Sequence, residues 1–445
     1  MRYGLIGKTL VHSYSKEIHE ALGKYTYDLF SLPPEKLSGF IDSFDFGGLN
    51  VTIPYKQDVM PLCDEISELA EAIGAVNTLY IREPGHKLVG HNTDYEGFLY
   101  AAKRAGIDFD GKTVLVLGTG GTSLTVRKAV SDRGATKIFL ASRSAGKASA
   151  PDGGKTSNHQ QSINADSASS QRPTPVHRLT YGELSSVADS INVIVNTTPV
   201  GTYPNNLQSI ISLADFPLCD SVIDVIYNPF KTKLLMEAEQ GGLKYSNGLP
   251  MLVAQATAAT GYFLGTPGAF YGENERIISQ MESRMRNIVL IGMPGCGKST
   301  IGRLLSQITG KTLVDTDSET EKSAKMSIPD IFATHGEKRF RDMESETVSR
   351  LGKKRGLIIA TGGGAILREE NVAALRQNGL VVHITRPVAG LPTKGRPLSK
   401  DRSALMKMEK ERMPLYSAAA DITFDNSKGM TEKELRKAVG KILDK

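Results

Sequence analysis

The amino-acid sequence predicts an α/β protein with several domains. Short apolar segments, such as "TVLVLG" at 113 and "NIVLIG" at 287, alternate with longer amphipathic segments, which is typical of βαβ units and parallel sheets. Two of the apolar segments lead into glycine-rich turns, "GTGGTS" at 118 and "GMPGCGKS" at 292. The length of 445 residues allows about two to four domains of ordinary size.

The predicted buried strands form two series along the chain. The first series comprises "RYGLIG" at 2, "GLNVTI" at 48, "TVLVLG" at 113, "KIFLAS" at 137, "NVIVNT" at 192 and "SVIDVI" at 221. The second comprises "NIVLIG" at 287, "GLIIATGGG" at 356 and "GLVVHIT" at 379. Between the two series lies a turn-rich segment followed by a polar helix, so we expect a linker at 272–286.

The composition is that of a globular chain, with 40% hydrophobic and 23% charged residues. No apolar run approaches the roughly 20 residues that span a bilayer, and "MRYGLIGKTL" lacks the pattern of a signal peptide. We therefore expect a cytoplasmic protein without a membrane partner. The net charge of +6 is spread along the chain, which favours anionic small molecules over nucleic acid as partners.

Two further features of composition bear on chemistry and order. The three cysteines are scattered and no histidines are paired at ligand spacing, which argues against a disulfide framework or a zinc site. Residues 144–175 contain almost no large apolar side chain, which predicts a surface insertion that cannot offset its ordering entropy.

The first glycine-rich turn has the context of a pyrophosphate-binding loop. It follows a predicted strand and precedes the amphipathic "LTVRKAVSDRG", so backbone amides at a helix N-terminus can hold phosphate. On its own, the turn fits a purely structural role equally well. The next strand ends in Ser142 and Arg143 rather than in an acidic residue, which suits a ribose 2′-phosphate and predicts NADP(H) rather than NAD. The expected cofactor contacts are Gly118, Gly120, Gly121, Thr122, Ser142 and Arg143.

The second turn matches the Gly-x4-Gly-Lys-Ser/Thr pattern of a P-loop, beginning at Gly292. Its amides would cradle the phosphates of ATP, Lys298 would neutralise them, and the Ser299 hydroxyl would bind Mg²⁺. The expected nucleotide contacts are Gly295, Cys296, Gly297, Lys298, Ser299 and Thr300.

Polar residues after the P-loop are candidates for binding the acceptor. "LVDTDSE" supplies Asp315 and Asp317; one could serve Mg²⁺ and the other a hydroxyl, although either alone would also suit a helix N-cap. Arg339, Arg341 and Arg412 could pair with a carboxylate, although a single arginine is more often part of a surface ion pair.

Eight motifs in the first part of the chain resemble those of shikimate dehydrogenase, in order along nearly all of residues 1–280. They are "HSYS", "NVTIPYK", "GAVNT", "GHNTD", "GTGGTS", "NTTPVGTYP", "DVIYNP" and "NGLPMLVAQA". The resemblance implies that Lys56 and Asp94 are the catalytic pair, in which Lys56 passes a proton to the substrate oxygen while NADPH delivers hydride. It implies that shikimate is bound by Ser13, Ser15, Thr52, Asn77, Asn92 and Gln255.

The motifs of the second part, "GMPGCGKS", "DTD", "GEKRFRDME", "TGGGA", "GRPLS" and "ERMPLYSAAAD", resemble shikimate kinase over residues 287–445. This resemblance places Asp317 near the attacking hydroxyl, Asp315 near Mg²⁺, and Arg396 on a lid that reaches the transferring phosphate. The segment around Arg396 is shorter than the lid of that family. The shikimate contacts that the resemblance implies are Asp317, Arg341, Gly363, Gly364 and Arg412.

Together the resemblances imply a bifunctional enzyme of the shikimate pathway. It would reduce 3-dehydroshikimate to shikimate with NADPH and then phosphorylate shikimate to shikimate 3-phosphate with ATP. The implied domains are a substrate domain at 1–108 completed by helices at about 247–280, a Rossmann-like NADP domain at 109–246, and a nucleoside-monophosphate-kinase-like P-loop domain at 287–445. Two alternatives stay open: a first half that oxidises quinate or a related polyol, and a half retained only as a regulatory binding module.

Overall fold

The computed structural model describes residues 1–10, 13–43, 45–144, 174–391 and 402–427, with residues 433, 436, 437 and 440. The chain divides into two compact units, Met1–Ile278 and Ser279–Lys445. The expected lid residue Arg396 and most of the low-complexity segment lie outside the described residues. None of the helices in the described ranges is both long enough and apolar enough to cross a bilayer.

The first unit begins with a mixed sheet. Its strands are β1 (Arg2–Gly7), β2 (Asp28–Ser31), β3 (Phe46–Val51), β4 (Glu65–Ile66), β5 (Thr78–Arg82) and β6 (Lys87–His91). They lie in the order β2-β1-β3-β5-β6-β4, and β5 pairs antiparallel with both β3 and β6. The two predicted strands of this sheet, β1 and β3, pair in parallel as expected. Strands β5 and β6 were not predicted, and their short connection joins them as an antiparallel hairpin.

The second sheet of this unit is parallel. Its strands are β7 (Thr113–Leu117), β8 (Lys137–Ser142), β9 (Val176–Thr180), β10 (Val193–Asn196), β11 (Ser221–Asp224) and β12 (Lys244–Ser246). Their order, β12-β11-β10-β7-β8-β9, is that of the Rossmann fold, which confirms the predicted class. The order reverses between β7 and β10, and ligands of such sheets bind outside the carboxyl ends of the strands at this point.

Helices cover both sheets of the first unit. They are α1 (Ser15–Ala21), α2 (Leu37–Asp42), α3 (Glu68–Ile73), α4 (Asp94–Arg104), α5 (Gly121–Asp132), α6 (Lys233–Gln240) and α7 (Gly248–Phe263). A Cβ at Gly97 of α4 would lie 2.6 Å from the carbonyl oxygen of Met251 in α7, and Phe263 at the end of α7 packs on Gly48 of β3. Helix α7 therefore returns the chain from the second sheet to the first, which brings Gln255 toward the first sheet.

The second unit is a parallel sheet flanked by helices. The strands are β13 (Asn287–Ile291), β14 (Thr312–Asp315), β15 (Leu357–Ala360), β16 (Gly379–Thr385) and β17 (Ile422–Asp425), in the order β14-β15-β13-β16-β17. The helices are α9 (Lys298–Thr309), α10 (Thr316–Ala324), α11 (Ile328–Gly352), α12 (Glu369–Arg376) and α13 (Arg402–Ala419). The central strand β13 is buried along its length. The loop that follows it therefore begins at a strand fixed in the core.

Helix α8 (Asn274–Met285) runs across the point at which the units divide. Its end is held by Lys311, whose Nζ donates hydrogen bonds of 2.7, 3.1 and 2.9 Å to the carbonyl oxygens of Ser283, Arg284 and Arg286. The last carbonyls of a helix have no partner within the helix, so this ammonium replaces the missing donors. Most of the segment predicted as a linker is thus helical.

Candidate active sites

The first site is built around an ion pair between Lys56 and Asp94. Lys56 Nζ lies 2.5 Å from Asp94 Oδ2, and the two side chains are only 14% and 11% exposed. Lys56 follows β3, and Asp94 is the first residue of α4. Asp94 Oδ1 accepts a second hydrogen bond of 2.8 Å from Asn77 Nδ2. Each carboxylate oxygen has its own donor, so the ammonium is held in one direction.

Asn77 connects the ends of the two strands that precede this pair, β3 and β6. It is buried, and its Oδ1 accepts hydrogen bonds from Thr93 N at 2.7 Å and from Thr78 Oγ1 at 2.8 Å. Its backbone N donates to the carbonyl oxygen of His91 at 3.0 Å, and its own carbonyl oxygen accepts from Val51 N at 2.7 Å. Asn77 therefore fixes the start of α4 relative to β3, and with it the geometry of the ion pair.

A cavity of about 410 Å³ opens beside the ion pair. Its wall contains four of the residues expected to bind shikimate, Ser13, Thr52, Asn77 and Gln255. Thr122, at the start of α5, also lines the cavity. The fold thus brings the expected substrate residues and part of the expected cofactor turn to one place.

Two expected substrate residues do not lie on the cavity wall. Ser15 is buried, and its hydroxyl accepts a hydrogen bond of 3.1 Å from Ser13 Oγ, which makes it a support for Ser13. Asn92 is fully buried, and its Nδ2 donates to the carbonyl oxygen of Ala75 at 2.8 Å. Its Oδ1 is buried and has no hydrogen-bond partner among the described residues, so the expected contact of Asn92 with shikimate stays a prediction.

Asn50 and Tyr227 line the same cavity, although the sequence analysis did not select them. Asn50 Oδ1 accepts a hydrogen bond of 2.8 Å from the Tyr27 hydroxyl, and its Nδ2 donates to Thr78 Oγ1 at 3.3 Å. The ring of Tyr227 meets that of Tyr14 edge-on, with centroids 5.9 Å apart. Both residues lie within the motifs "NVTIPYK" and "DVIYNP", so the motifs were the available signal.

The expected cofactor turn lies at the carboxyl end of β7. Gly118 has a φ of 103°, and a Cβ there would lie 2.8 Å from Thr198 Cγ2, so only glycine fits this close approach. At Gly120, by contrast, an added Cβ would meet no described atom within 4 Å, which leaves room for phosphate beside the start of α5. A Cβ at Gly121 would lie 3.7 Å from Lys56 Cδ. The turn and the ion pair are therefore neighbours.

The two residues expected to bind the 2′-phosphate lie together at the end of β8. Ser142 Oγ donates a hydrogen bond of 2.6 Å to the carbonyl oxygen of Ser144. Arg143 is exposed. Burial raises the pKa of the nearby Tyr181 phenol, and the positive charge of Arg143 acts in the opposite direction. An exposed cation at this position can pair with a phosphate on the ribose.

The second site contains the P-loop between β13 and α9. Gly292, Gly295 and Gly297 have φ values of 140°, 82° and 109°, conformations that other residues rarely adopt. Lys298 is only 9% exposed, and its Nζ donates to the carbonyl oxygens of Gly292 at 2.8 Å and Met293 at 3.1 Å. The ammonium therefore lies inside the loop, where phosphate would bind.

A cavity of about 540 Å³ extends from the P-loop. Of the expected residues, its wall contains Gly295, Gly297, Lys298, Ser299, Thr300, Asp315, Asp317, Arg341, Gly363, Gly364 and Arg412. Ile328, Phe332 and Phe340 supply an apolar part of the same wall. The side chain of Cys296 is fully buried, so its expected contact with the nucleotide would be made by its backbone. The groups expected to bind nucleotide and acceptor thus face one space.

The two aspartates of "DTD" have different environments. Asp315 caps α10, with Oδ1 accepting hydrogen bonds from Asp317 N at 3.0 Å and Ser318 N at 3.2 Å. Burial raises the pKa of Asp317 to about 6, and the negative charges of Asp315 and Glu344 act in the same direction. A carboxylate with this pKa is a better proton acceptor than an ordinary one. Asp315 and Ser299 offer oxygen donors of the kind that Mg²⁺ prefers.

Glu344 is a second residue that the sequence analysis did not select. Its Oε2 lies 2.8 Å from Arg341 Nη1, and the two side chains are 1% and 10% exposed. Glu344 Oε1 is buried and has no hydrogen-bond partner among the described residues. Arg341 Nη2 also lies 3.2 Å from Glu337 Oε1. The guanidinium is therefore fixed from its own helix, by residues at helical spacing.

Arg412 and Tyr416 meet at the glycine-rich end of β15. Arg412 Nη1 and the Tyr416 hydroxyl both donate to the carbonyl oxygen of Gly363, at 2.9 and 2.5 Å. The C=O and N–H of a trans peptide point in opposite directions, so the N–H of Gly364 faces away from these donors. A Cβ at Gly364 would collide with the guanidinium of Arg341. These contacts therefore fix the orientation of the Gly363–Gly364 peptide at the cavity wall.

The first unit has the fold and site of a dinucleotide-dependent dehydrogenase, and the second has those of a P-loop kinase. The family model for the shikimate dehydrogenase substrate binding domain matches residues 5–79, and that for shikimate kinase matches residues 294–443. Shikimate dehydrogenase (NADP(+)) of Clostridium perfringens is 37% identical over 265 residues, which are 58% of this chain and 90% of that protein. The chain therefore belongs to the shikimate dehydrogenase family and carries a shikimate kinase domain after it.

Solved structures give the same result for the first unit. Shikimate dehydrogenase 1 from Peptoclostridium difficile is 32% identical with a TM-score of 0.53, covering 63% of this chain and 98% of its own. A chorismate mutase/shikimate 5-dehydrogenase fusion protein from Clostridium acetobutylicum is 34% identical with a TM-score of 0.53, covering 63% of this chain and 96% of its own. The predicted α/β fold of the first unit is thus confirmed.

Proposed function

We propose that the chain catalyses two consecutive reactions. The first unit reduces 3-dehydroshikimate to shikimate with NADPH, and the second phosphorylates shikimate to shikimate 3-phosphate with ATP. The observation that carries this proposal is that each cavity is lined both by residues of a glycine-rich turn and by a side chain capable of proton transfer, Lys56 or Asp317. The product of the first cavity is the acceptor of the second, which accounts for two unlike phosphate-binding turns in one chain.

In the first reaction, Lys56 transfers the proton. When bound, NADPH would supply the hydride that the substrate carbonyl carbon receives. Lys56, held by Asp94, donates its proton to the carbonyl oxygen as negative charge develops there. Ser13, Asn77 and Gln255 offer hydrogen-bonding groups for the hydroxyls and carboxylate of the substrate.

In the second reaction, Asp317 accepts the proton of the attacking hydroxyl, as its raised pKa supports. Arg341 and Arg412 pair with the carboxylate of shikimate, and Lys298 balances the charge of the phosphates. Ser299 and Asp315 would hold Mg²⁺, which would supply further positive charge beside the phosphates. The role of Arg396 on a lid stays a prediction.

A staged assay on the intact chain tests the proposal. With 3-dehydroshikimate and NADPH, we expect loss of NADPH absorbance; after addition of Mg·ATP, we expect shikimate 3-phosphate. Parallel reactions with quinate and NADP⁺ test the polyol alternative, which gains support if quinate is oxidised faster than shikimate. Reduction without phosphoryl transfer, even when shikimate itself is supplied, would make the second unit a regulatory binding module.

We also propose the domain limits that the resemblance implies, with the first domain at 1–108 completed by 247–280. The packing of α7 on α4 supports this limit. Cys63, Cys219 and Cys296 are free thiols, which supports the expected cytoplasmic location.

A further inference from the structure

The P-loop is tied to a neighbouring strand end through the side chain of Asn426. Asn426 Nδ2 donates a hydrogen bond of 2.7 Å to the carbonyl oxygen of Cys296, although the two residues are 130 positions apart. Asn426 directly follows β17, and its backbone N donates to the carbonyl oxygen of Thr385 at 2.9 Å. Thr385 is the last residue of β16. The backbone of Asn426 is therefore fixed against the end of β16, and its side-chain amide holds the backbone of the P-loop.

The direction of the Cys296 carbonyl decides where the next N–H points. In a trans peptide the C=O and N–H lie on opposite sides. Because Asn426 holds the carbonyl, the N–H of Gly297 points away from the Asn426 amide, and Gly297 itself lines the cavity. Phosphates are bound in P-loops by such backbone N–H groups.

The close packing of the loop on β16 and β17 gives independent support. A Cβ at Gly297 would collide with Asn426 Nδ2, and a Cβ at Gly292 would collide with the carbonyl oxygen of Ile384 in β16. Two of the P-loop glycines thus lie directly on the ends of these strands. No side chain larger than hydrogen fits at Gly297 while the Asn426 amide keeps its place.

We infer that Asn426 is a positioning residue for nucleoside triphosphate binding in the second unit. It is not part of the cavity wall; it acts by holding the Cys296–Gly297 peptide with its N–H ready to donate to a phosphate oxygen. The inference rests on the proposed kinase function and adds a residue to it. Without the amide, the bound phosphate itself must orient this peptide, so the loss appears as weaker nucleotide binding.

Two substitutions in the full chain test this role. Asn426→Ala removes the donor, and Asn426→Asp keeps the shape but places a carboxylate oxygen against the Cys296 carbonyl. We expect the KM for ATP to rise about tenfold in Asn426→Ala, which is about 1.4 kcal/mol or one hydrogen bond, and at least as much in Asn426→Asp. The KM for shikimate and the NADPH-dependent activity should stay within about twofold, because neither depends on this peptide.

Asn378→Asp is the matched control. Asn378 Nδ2 donates to the carbonyl oxygen of Gly352 at 2.9 Å. Asn378 directly precedes β16, at the amino ends of the strands, whereas the P-loop follows the carboxyl end of β13. We expect this variant to lower the Tm while leaving the ratio of the two KM values unchanged.

An ATP KM that is unchanged in both Asn426 variants, or that rises no more than the shikimate KM, would overturn the inference. Calorimetric titration of ATP without shikimate gives a second readout that does not need turnover. If the unaltered chain fails to phosphorylate shikimate, the proposed function fails, whereas the titration still decides the role of Asn426.

Discussion

Lys56 and Asp94 are 38 positions apart in the chain, yet their side chains form an ion pair of 2.5 Å that is largely shielded from solvent. Asn77 occupies the other carboxylate oxygen of Asp94. Each oxygen of the Asp94 carboxylate thus accepts from one side chain, and our proposal assigns the proton donated to the substrate to the Lys56 ammonium.

We expect Lys56→Ala to lower kcat of NADPH-dependent reduction by about 100-fold to 10,000-fold, the usual contribution of a general acid. Kinase activity of the same chain should be unchanged. Lys87→Ala is the control, because Lys87 is an exposed partner of Glu65 on the same sheet. Initial rates of NADPH loss measure the effect, and a fall of less than tenfold would assign the proton transfer to another group.

Arg143→Gln should separate the two nicotinamide cofactors. We expect the KM for NADPH to rise by about tenfold or more, since a charge-assisted bond to the 2′-phosphate is lost, while the KM for NADH stays the same. Arg133 directly follows α5, at the end away from the expected cofactor turn. Arg133→Gln should therefore change neither the KM for NADPH nor the KM for NADH. Equal effects of Arg143→Gln on both cofactors would show that the 2′-phosphate binds elsewhere.

Asp317→Asn should abolish kinase activity and stabilise the fold above pH 6. The folded-state pKa of Asp317 is raised to about 6 from 3.8, so the folded chain binds this proton more tightly than the unfolded chain does. The free energy of unfolding therefore falls as the pH rises from 3.8 to about 6, and the full cost of ionisation remains above that pH. Removing it should raise the free energy of unfolding at pH 8 by up to about 3 kcal/mol.

Calorimetric unfolding at pH 5 and pH 8 measures this gain. Asp342→Asn is the control of opposite sign, because the Arg368 side chain lowers the pKa of Asp342, so that its substitution should not stabilise the fold. In the unaltered chain, the kinase rate should fall as the pH falls through about 6, because Asp317 then becomes protonated. A rate that is flat from pH 8 to pH 5 would remove Asp317 from the proton transfer.

Tyr416→Phe should weaken shikimate binding in the second unit. The ring is fully buried and stacks on His383, so phenylalanine keeps the packing and removes only the hydroxyl that holds the Gly363 carbonyl. We expect the KM for shikimate to rise about threefold to tenfold, from the loss of one hydrogen bond, with the KM for ATP unchanged. A larger effect on ATP than on shikimate would contradict this role.

The architecture was accessible from local patterns, because each predicted strand is a short apolar segment and each nucleotide turn has a fixed glycine spacing. The hairpin of β5 and β6 was less accessible, since "TLYIR" and "KLVGH" are joined by four residues and carry weak apolar patterning. Resemblance supplied the site residues that lie in motifs, such as Asp94 and Gln255.

Residues that act through tertiary contacts could not be read in this way. Tyr416 reaches Gly363 from 53 positions away, and Asn426 reaches Cys296 from 130. No local spacing records such a pair.

The hydrogen bonds from Lys311 to the end of α8 determine where the chain can be cut to separate the two units. A fragment that starts at Asn287, the first residue of β13, would lack all three carbonyl oxygens that accept from Lys311. Burial already lowers the pKa of this ammonium, and without acceptors it would be a partly desolvated cation with nothing to bind. The useful place to cut is therefore at residue 279 or earlier, where the excised piece keeps its own turn of helix.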